Sequence, residues 1–239
     1  MKKAILLIGI VFGIMFAGNA AEPLSPLRVS ILGDSYSTFE GYLTPDTNNV
    51  WYPPRKANLP HNDVRDVEQT WWWMLIHDNG MVLERNNSYS GATVCNTGYN
   101  GADYSDRSFV NRALDLGDPD VILVFGGTND AWAGVPLGDD YALRDSASLY
   151  RFRPAFACML ERLKNNYPEA RIFNITNTEL NNRITESMAE ICEAYGVPNV
   201  VLRYVDKQKG HPSVNGMKTI ASQVWTAMAP YMLTGGKGR

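Results

Sequence analysis

Short apolar runs alternate with stretches of helical periodicity along most of this chain. Leu27-Arg28-Val29-Ser30-Ile31-Leu32 has the length and branched content of a buried strand, and Val121-Ile122-Leu123-Val124-Phe125 is an unbroken one. Residues 81–84, 171–175 and 199–203 are predicted as three more strands. Between them the apolar positions fall on helical spacing. Thr70 can cap a helix that runs through Trp71-Trp72-Trp73 to His77 and stops at Asp78-Asn79-Gly80. A second is predicted over 108–116, ended by Gly117-Asp118-Pro119. Pro154 opens a third, with Phe156, Met159, Leu160 and Leu163 on one side. Ile184, Met188, Ile191 and Tyr195 mark a fourth, closed by Gly196. The last, over 214–232, carries Met217, Ile220, Val224, Trp225 and Met228 on one face. Strict alternation of strand and helix implies an α/β fold. The expected architecture is a three-layer α/β/α sandwich around a parallel sheet of about five strands.

Two long segments break the alternation. Residues 39–68 contain Trp51-Tyr52-Pro53-Pro54, and residues 131–149 contain Trp132. Insertions of this kind build the walls of a cleft or serve as packing, and their aromatics suit either role. The three consecutive tryptophans span ~200° of a helix at ~100° per residue, wider than a core stripe. At least one should therefore reach an interface, a loop or the cleft.

Composition narrows the setting. Lys2 and Lys3, an apolar stretch over 4–16, and Gly18-Asn19-Ala20 form an export signal cleaved after Ala20. The stretch is too short to span a bilayer, so stable membrane insertion is not expected. The expected organisation is a signal peptide over 1–20 and a single domain over 21–239, exported to the periplasm or beyond. The formal charge of −3 becomes more negative once Lys2 and Lys3 are removed, which argues against nucleic acid as a partner. Three cysteines are too few for a disulfide scaffold; Cys158 and Cys192 lie on predicted helices and leave one bridge open. No His or Cys pair has zinc-ligand spacing, so no metal or other cofactor is expected. The glycine-rich tail over 235–239 should be disordered.

The candidate chemistry sits in four loops, each following a predicted strand. Ser35 lies in Gly33-Asp34-Ser35-Tyr36-Ser37, on the turn leaving the first strand. Ser90-Gly91 follows the second, where a glycine lets backbone N–H groups approach a substrate closely. Gly127-Thr128-Asn129-Asp130 follows the third and presents the Asn129 amide. His211-Pro212 follows the fifth. All four leave the carboxyl ends of strands, where open α/β sheets bind their ligands, so all four converge on one edge. Of the other histidines, His77 reads as structural and His61 lies in the first insertion. Asp34 and Asp130 read as braces for their own loops.

These four loops, in this order, resemble the signature blocks of the SGNH hydrolases, the group that includes the GDSL esterases and lipases. The resemblance runs from Leu27 to the final helix. It implies a flavodoxin-like domain and serine ester hydrolysis without a cofactor. Ser35 would be the nucleophile and His211 the base. The Ser35 and Gly91 N–H groups with the Asn129 side chain would receive the oxyanion. One position departs from the pattern: the aspartate expected three residues before the histidine is Gln208 here. Either Asp206, five residues before His211, orients the imidazole, or a backbone carbonyl does. An exported serine esterase acting on short acyl groups of carbohydrate, such as O-acetyl esters, is the reading adopted. Its substrate partner would be a small-molecule or glycan ester. The rivals are a lipase or lysophospholipase and a catalytically impaired carbohydrate-binding homologue; a transferase using the same site is a further option. Activity is expected to rise with pH through roughly 6–7 as His211 loses its proton.

Overall fold

The computed structural model describes residues 25–53 and 62–233. The expected export signal, His61 and the glycine-rich tail lie outside them. Five strands, β1 (Arg28–Gly33), β2 (Val82–Ser88), β3 (Val121–Gly126), β4 (Arg171–Thr176) and β5 (Asn199–Val201), form one sheet in the order β2-β1-β3-β4-β5. Every pairing is parallel. The helices are α1 (Trp71–Asp78), α2 (Phe109–Arg112), α3 (Thr128–Ala133), α4 (Phe152–Asn166), α5 (Asn182–Tyr195) and α6 (Val214–Leu233).

Side-chain alternation along the strands assembles two cores. Val29 and Ile31, with Val121, Leu123, Phe125, Phe173 and Ile175, face α1 and α6. Leu32, Ile122, Val124 and Ile172 face α2, α4 and α5. A strand covered on both sides must be apolar throughout, which is why 121–125 reads so clearly. The layers and strand order are those of the flavodoxin-like type, and the order reverses between β1 and β3. The crevice at that switch lies where Ser35 and Asn129 leave the sheet.

Some boundaries differ from the apolar pattern. β2 continues four residues beyond the predicted run because Asn86, Asn87 and Ser88 are buried yet satisfied. Asn86 Nδ2 donates to Ser37 O at 2.9 Å, Asn87 Nδ2 to Asp115 O at 2.9 Å, and Ser88 Oγ to Asn86 Oδ1 at 2.6 Å. α2 is only one turn long, since the Leu116 N–H goes to the Tyr167 hydroxyl at 2.8 Å instead of a helix carbonyl. α4 starts at Phe152, with Pro154 in its first turn, where an N–H has no helical acceptor to lose. Cys158 and Cys192 are free buried thiols, so the open bridge does not form. Of the tryptophans on α1, Trp71 and Trp72 are buried, while Trp73 is half-buried against Tyr42 and His77.

One element has no apolar signature at all. Lys207–Gln208 (β6) pairs antiparallel with His211–Pro212 (β7). Their two-residue turn, Lys209-Gly210, has φ of 50° and 79°. Positive φ at both central positions is the mirror-image turn that suits a tight hairpin.

Candidate active site

The Ser35 turn is built by its neighbours. A Cβ on Gly33 would lie 2.4 Å from Ser88 Oγ and 2.6 Å from Ser37 Cβ, so only glycine allows β1 to end there. Asp34 Oδ1 then accepts the Tyr36 N–H at 3.0 Å and folds residues 35–37 into one tight turn. Ser35 stands at its start, nearly buried. Its own N–H makes no hydrogen bond among the described residues.

His211 arrives from the far end of the chain on the β6–β7 hairpin. Its Nε2 lies 2.9 Å from Ser35 Oγ, and its Nδ1 lies 3.4 Å from the Lys209 carbonyl oxygen. A carbonyl can only accept, so this contact places the ring hydrogen on Nδ1 and leaves Nε2 to accept from the Ser35 hydroxyl. Burial pushes the imidazole down to about 4, the Lys207 charge acts in the same direction, and the Lys209 carbonyl opposes them. The ring is therefore neutral at neutral pH. In this tautomer it can take a proton from the serine.

Asp206 is not brought to the imidazole. The tight turn closes residue 208 onto 211 and sets Asp206 beside Ser213 instead. There its carboxylate accepts from the Ser213 hydroxyl and its carbonyl accepts the Ser213 N–H at 3.1 Å. Ser213 Oγ in turn accepts the Gly216 N–H at 3.1 Å, so the pair caps α6. Of the two orienting groups the sequence left open, the geometry has the backbone carbonyl.

Donors for a negative oxygen gather across the switch. Asn129, on the first turn of α3, gives one Nδ2 hydrogen to Ala92 O at 2.9 Å, which ties it to the loop carrying Gly91. Its Oδ1 accepts from the Tyr99 hydroxyl at 2.8 Å, which fixes the amide orientation. The second Nδ2 hydrogen is uncommitted among the described residues. Gly91, at φ 84°, likewise makes no N–H bond there. The same loop is anchored by Tyr89 N–H to Gly33 O at 3.1 Å and Ser90 N–H to Asn49 O at 2.9 Å.

Beneath the site lies a buried charge cluster. Asp130 accepts the N–H groups of Val94 at 2.8 Å and Cys95 at 3.3 Å, bracing the Gly91 loop rather than its own. Burial pushes Asp34 up to about 7 and Asp130 up to about 6. Arg112 donates to Gly33 O at 3.2 Å, and burial brings its guanidinium down to about 9. Asp34 Oδ2 is buried without a partner. Cys95 is buried with its thiol held well above the usual range by burial, so it is no rival to Ser35.

Aromatic rings enclose the histidine. Trp51 stacks on it at 3.6 Å between centroids and 8° between planes. Tyr36 lies 5.2 Å away, Tyr52 6.4 Å and Trp132 6.1 Å. The Tyr36 hydroxyl donates to Gly210 O and the Tyr52 hydroxyl to Pro212 O at 3.1 Å, so both carbonyls flanking the histidine are held. Trp132 remains 49% exposed at the rim. Sequence reasoning missed Tyr99 and offered a backbone carbonyl without identifying it as that of Lys209; neither carries a motif. Among the described residues no cluster of His, Cys, Asp or Glu is arranged to hold a metal ion, and no helix is long and apolar enough to cross a membrane.

Known proteins give this arrangement a context. The sequence model of the GDSL-like Lipase/Acylhydrolase family matches residues 27–228. A presumed GDSL-like lipase from Bacteroides uniformis is 57% identical, over 86% of this chain and 96% of its own, with a TM-score of 0.83. Another from Bacteroides ovatus is 48% identical, over 87% of this chain and 100% of its own, with a TM-score of 0.84. A family two carbohydrate esterase from Clostridium thermocellum, solved with cellohexaose, shares the fold at 15% identity and a TM-score of 0.60, over 88% of this chain and 66% of its own. No curated protein sequence matches the chain. The match across nearly all of the described chain, together with two relatives near half identity, places it plainly: the chain belongs to the GDSL-like lipase/acylhydrolase family of SGNH hydrolases.

Proposed function

We propose that this protein is an exported serine esterase that cleaves short acyl groups, O-acetyl above all, from carbohydrate. The observation that carries the reading is the 2.9 Å contact between Ser35 Oγ and an imidazole Nε2 whose other nitrogen faces a carbonyl. In the reaction, Ser35 Oγ bonds to the ester carbonyl carbon as its proton passes to His211 Nε2. The carbonyl electron pair moves onto oxygen, which the N–H groups of Ser35 and Gly91 and the free Asn129 hydrogen receive. Collapse of this intermediate breaks the bond to the alcohol, which leaves with the proton from Nε2. Water then attacks acyl-Ser35 by the same route and releases the acid.

The substrate class rests on the rim. Trp132 offers an exposed indole beside the histidine, a surface suited to the apolar face of a sugar ring. Fold neighbours include the cellohexaose-bound esterase and an acetyl xylan esterase from Butyrivibrio proteoclasticus. Residues 1–20 would be removed on export and 21–239 would form the catalytic domain. The test is acetate release from acetylated polysaccharide by wild type and Ser35→Ala, run beside acetyl and octanoyl nitrophenyl esters. Acetate release that depends on Ser35, with acetyl preferred, is expected. A preference for octanoyl would make the protein a lipase. Glycan binding without turnover would make it a binding protein on a hydrolase scaffold.

A further inference from the structure

The imidazole is oriented by one weak hydrogen bond and one strong contact. At 3.4 Å the Lys209 carbonyl is at the outer limit of a useful acceptor, so it fixes the tautomer better than it fixes the plane. The Trp51 indole, by contrast, lies flat on the ring. It is also mounted on the serine turn itself. The Trp51 N–H donates to Thr38 Oγ1 at 2.9 Å, and that hydroxyl donates to the Ser35 carbonyl at 3.0 Å. Nucleophile and indole thus share one frame. Trp51 Nε1 is buried with no partner among the described residues. A loop anchor would bury a phenyl ring at lower cost, and an orphaned donor of this kind calls for a reason.

We propose that Trp51 is the positioning residue for His211, holding the imidazole against Ser35 and stabilising the imidazolium formed when Nε2 takes the serine proton. An aspartate on Nδ1 would otherwise do this work. The proposal rests on Ser35 and His211 being the reacting pair. A cation over an indole face is stabilised by the ring's electron density. The same face keeps water from the neutral ring. Other titratable groups near the imidazole are Lys207 and Lys209 on its hairpin, Tyr36 on the serine turn and Tyr52 beside Trp51; α3 presents only the uncharged Trp132.

The test compares Trp51→Ala and Trp51→Phe with wild type on an acetyl ester, over pH 3.5 to 8 (roughly the span from the buried to the free histidine). Trp51→Ala should lose about tenfold in kcat with KM little changed. Its acid limb should move up toward ~6.5, because burial is the largest cause of the lowered value and opening the ring face to water outweighs the lost indole contact. Trp51→Phe should recover most of kcat. An unmoved limb, a loss confined to KM, or a phenylalanine no better than alanine would overturn the proposal. If Trp51→Ala does not fold, indole fluorescence decides. Protonation under a stacked indole quenches it, so wild type should show a transition at the acid limb that Trp51→Phe lacks, and a flat signal would overturn the stack. Ser35→Ala and His211→Ala run alongside. Turnover surviving in either variant means that the reacting pair is wrong, whereas dead controls with a normal Trp51→Ala reject only this inference.

Discussion

A serine hydroxyl attacks an ester only while something beside it can take the proton, and in the proposed reaction that partner is the His211 imidazole, kept neutral by burial. Protonation removes the base, so activity is lost below the pKa and present above it. With His211 lowered to about 4, turnover should stay level from neutral pH down to about 5 and fall as pH drops through about 4. A pH–rate profile checks this; an acid limb at 6–7, as the sequence alone suggests, would mean the ring is wetter than it stands here. Asn129→Ala should lower kcat by roughly 10²–10³ in protein that still folds, with a lowered melting temperature because Ala92 O and the Tyr99 hydroxyl lose their partner. Tyr99→Phe should cost less, since it only frees the amide to turn. The residue scale was partly legible. Ser35, Gly91 and Asn129 follow the ends of β1, β2 and β3, and the strand pattern was enough to bring them to one edge; His211 arrives on a hairpin that the pattern does not show. Asp206 was misplaced because counting residues back from the histidine assumes an open loop, whereas a tight hairpin turns that side chain away. Tyr99 acts through one hydroxyl from an irregular segment, and nothing in its neighbourhood marks it.

At the scale of elements, the β6–β7 hairpin does the most with the least. Four paired residues and two with positive φ carry the proposed base, its tautomer-setting carbonyl and the turn away from Asp206. Gly210→Ala should cost about 1–2 kcal/mol in stability, because a Cβ disfavours φ 79°. It should also lower kcat, since the Lys209 carbonyl moves with the turn; denaturant melts and kinetics on one preparation separate the two effects. Strands of two residues leave no periodicity to read, so the hairpin was invisible to the apolar pattern. β3 is the opposite case, since burial on both faces forces five consecutive apolar residues. β2 lies between them: its second half is held by satisfied amides and a hydroxyl, a signal that apolar patterning cannot carry.

Across the whole molecule, the strand order of the parallel sheet reverses between β1 and β3, and residues 35, 91, 129 and 211 come to one rim. Strand–helix alternation was enough to anticipate this architecture. The buried charges beneath the rim were not anticipated, because Asp34, Asp130 and Arg112 come from three separate segments. They give the fold a signature of its own. In the folded chain Asp34 sits at about 7 and Asp130 at about 6, above the usual carboxylate value, so folding takes up protons between about pH 4 and 7. Their contribution to stability therefore falls as pH rises through that window. His211, lowered on folding, works the other way between about 6.5 and 4. Asp34→Asn isolates one term: relative to wild type it should gain stability from pH 5 to pH 8 in urea titrations, and a constant difference would mean the carboxyl is not buried as charge. The central claim, that Ser35 is made nucleophilic by His211, is tested most directly by intact-mass measurement after exposure to a fluorophosphonate. One adduct per chain is expected, on Ser35, abolished in Ser35→Ala and strongly slowed in His211→Ala. An unlabelled Ser35 in protein that still hydrolyses esters would contradict the account.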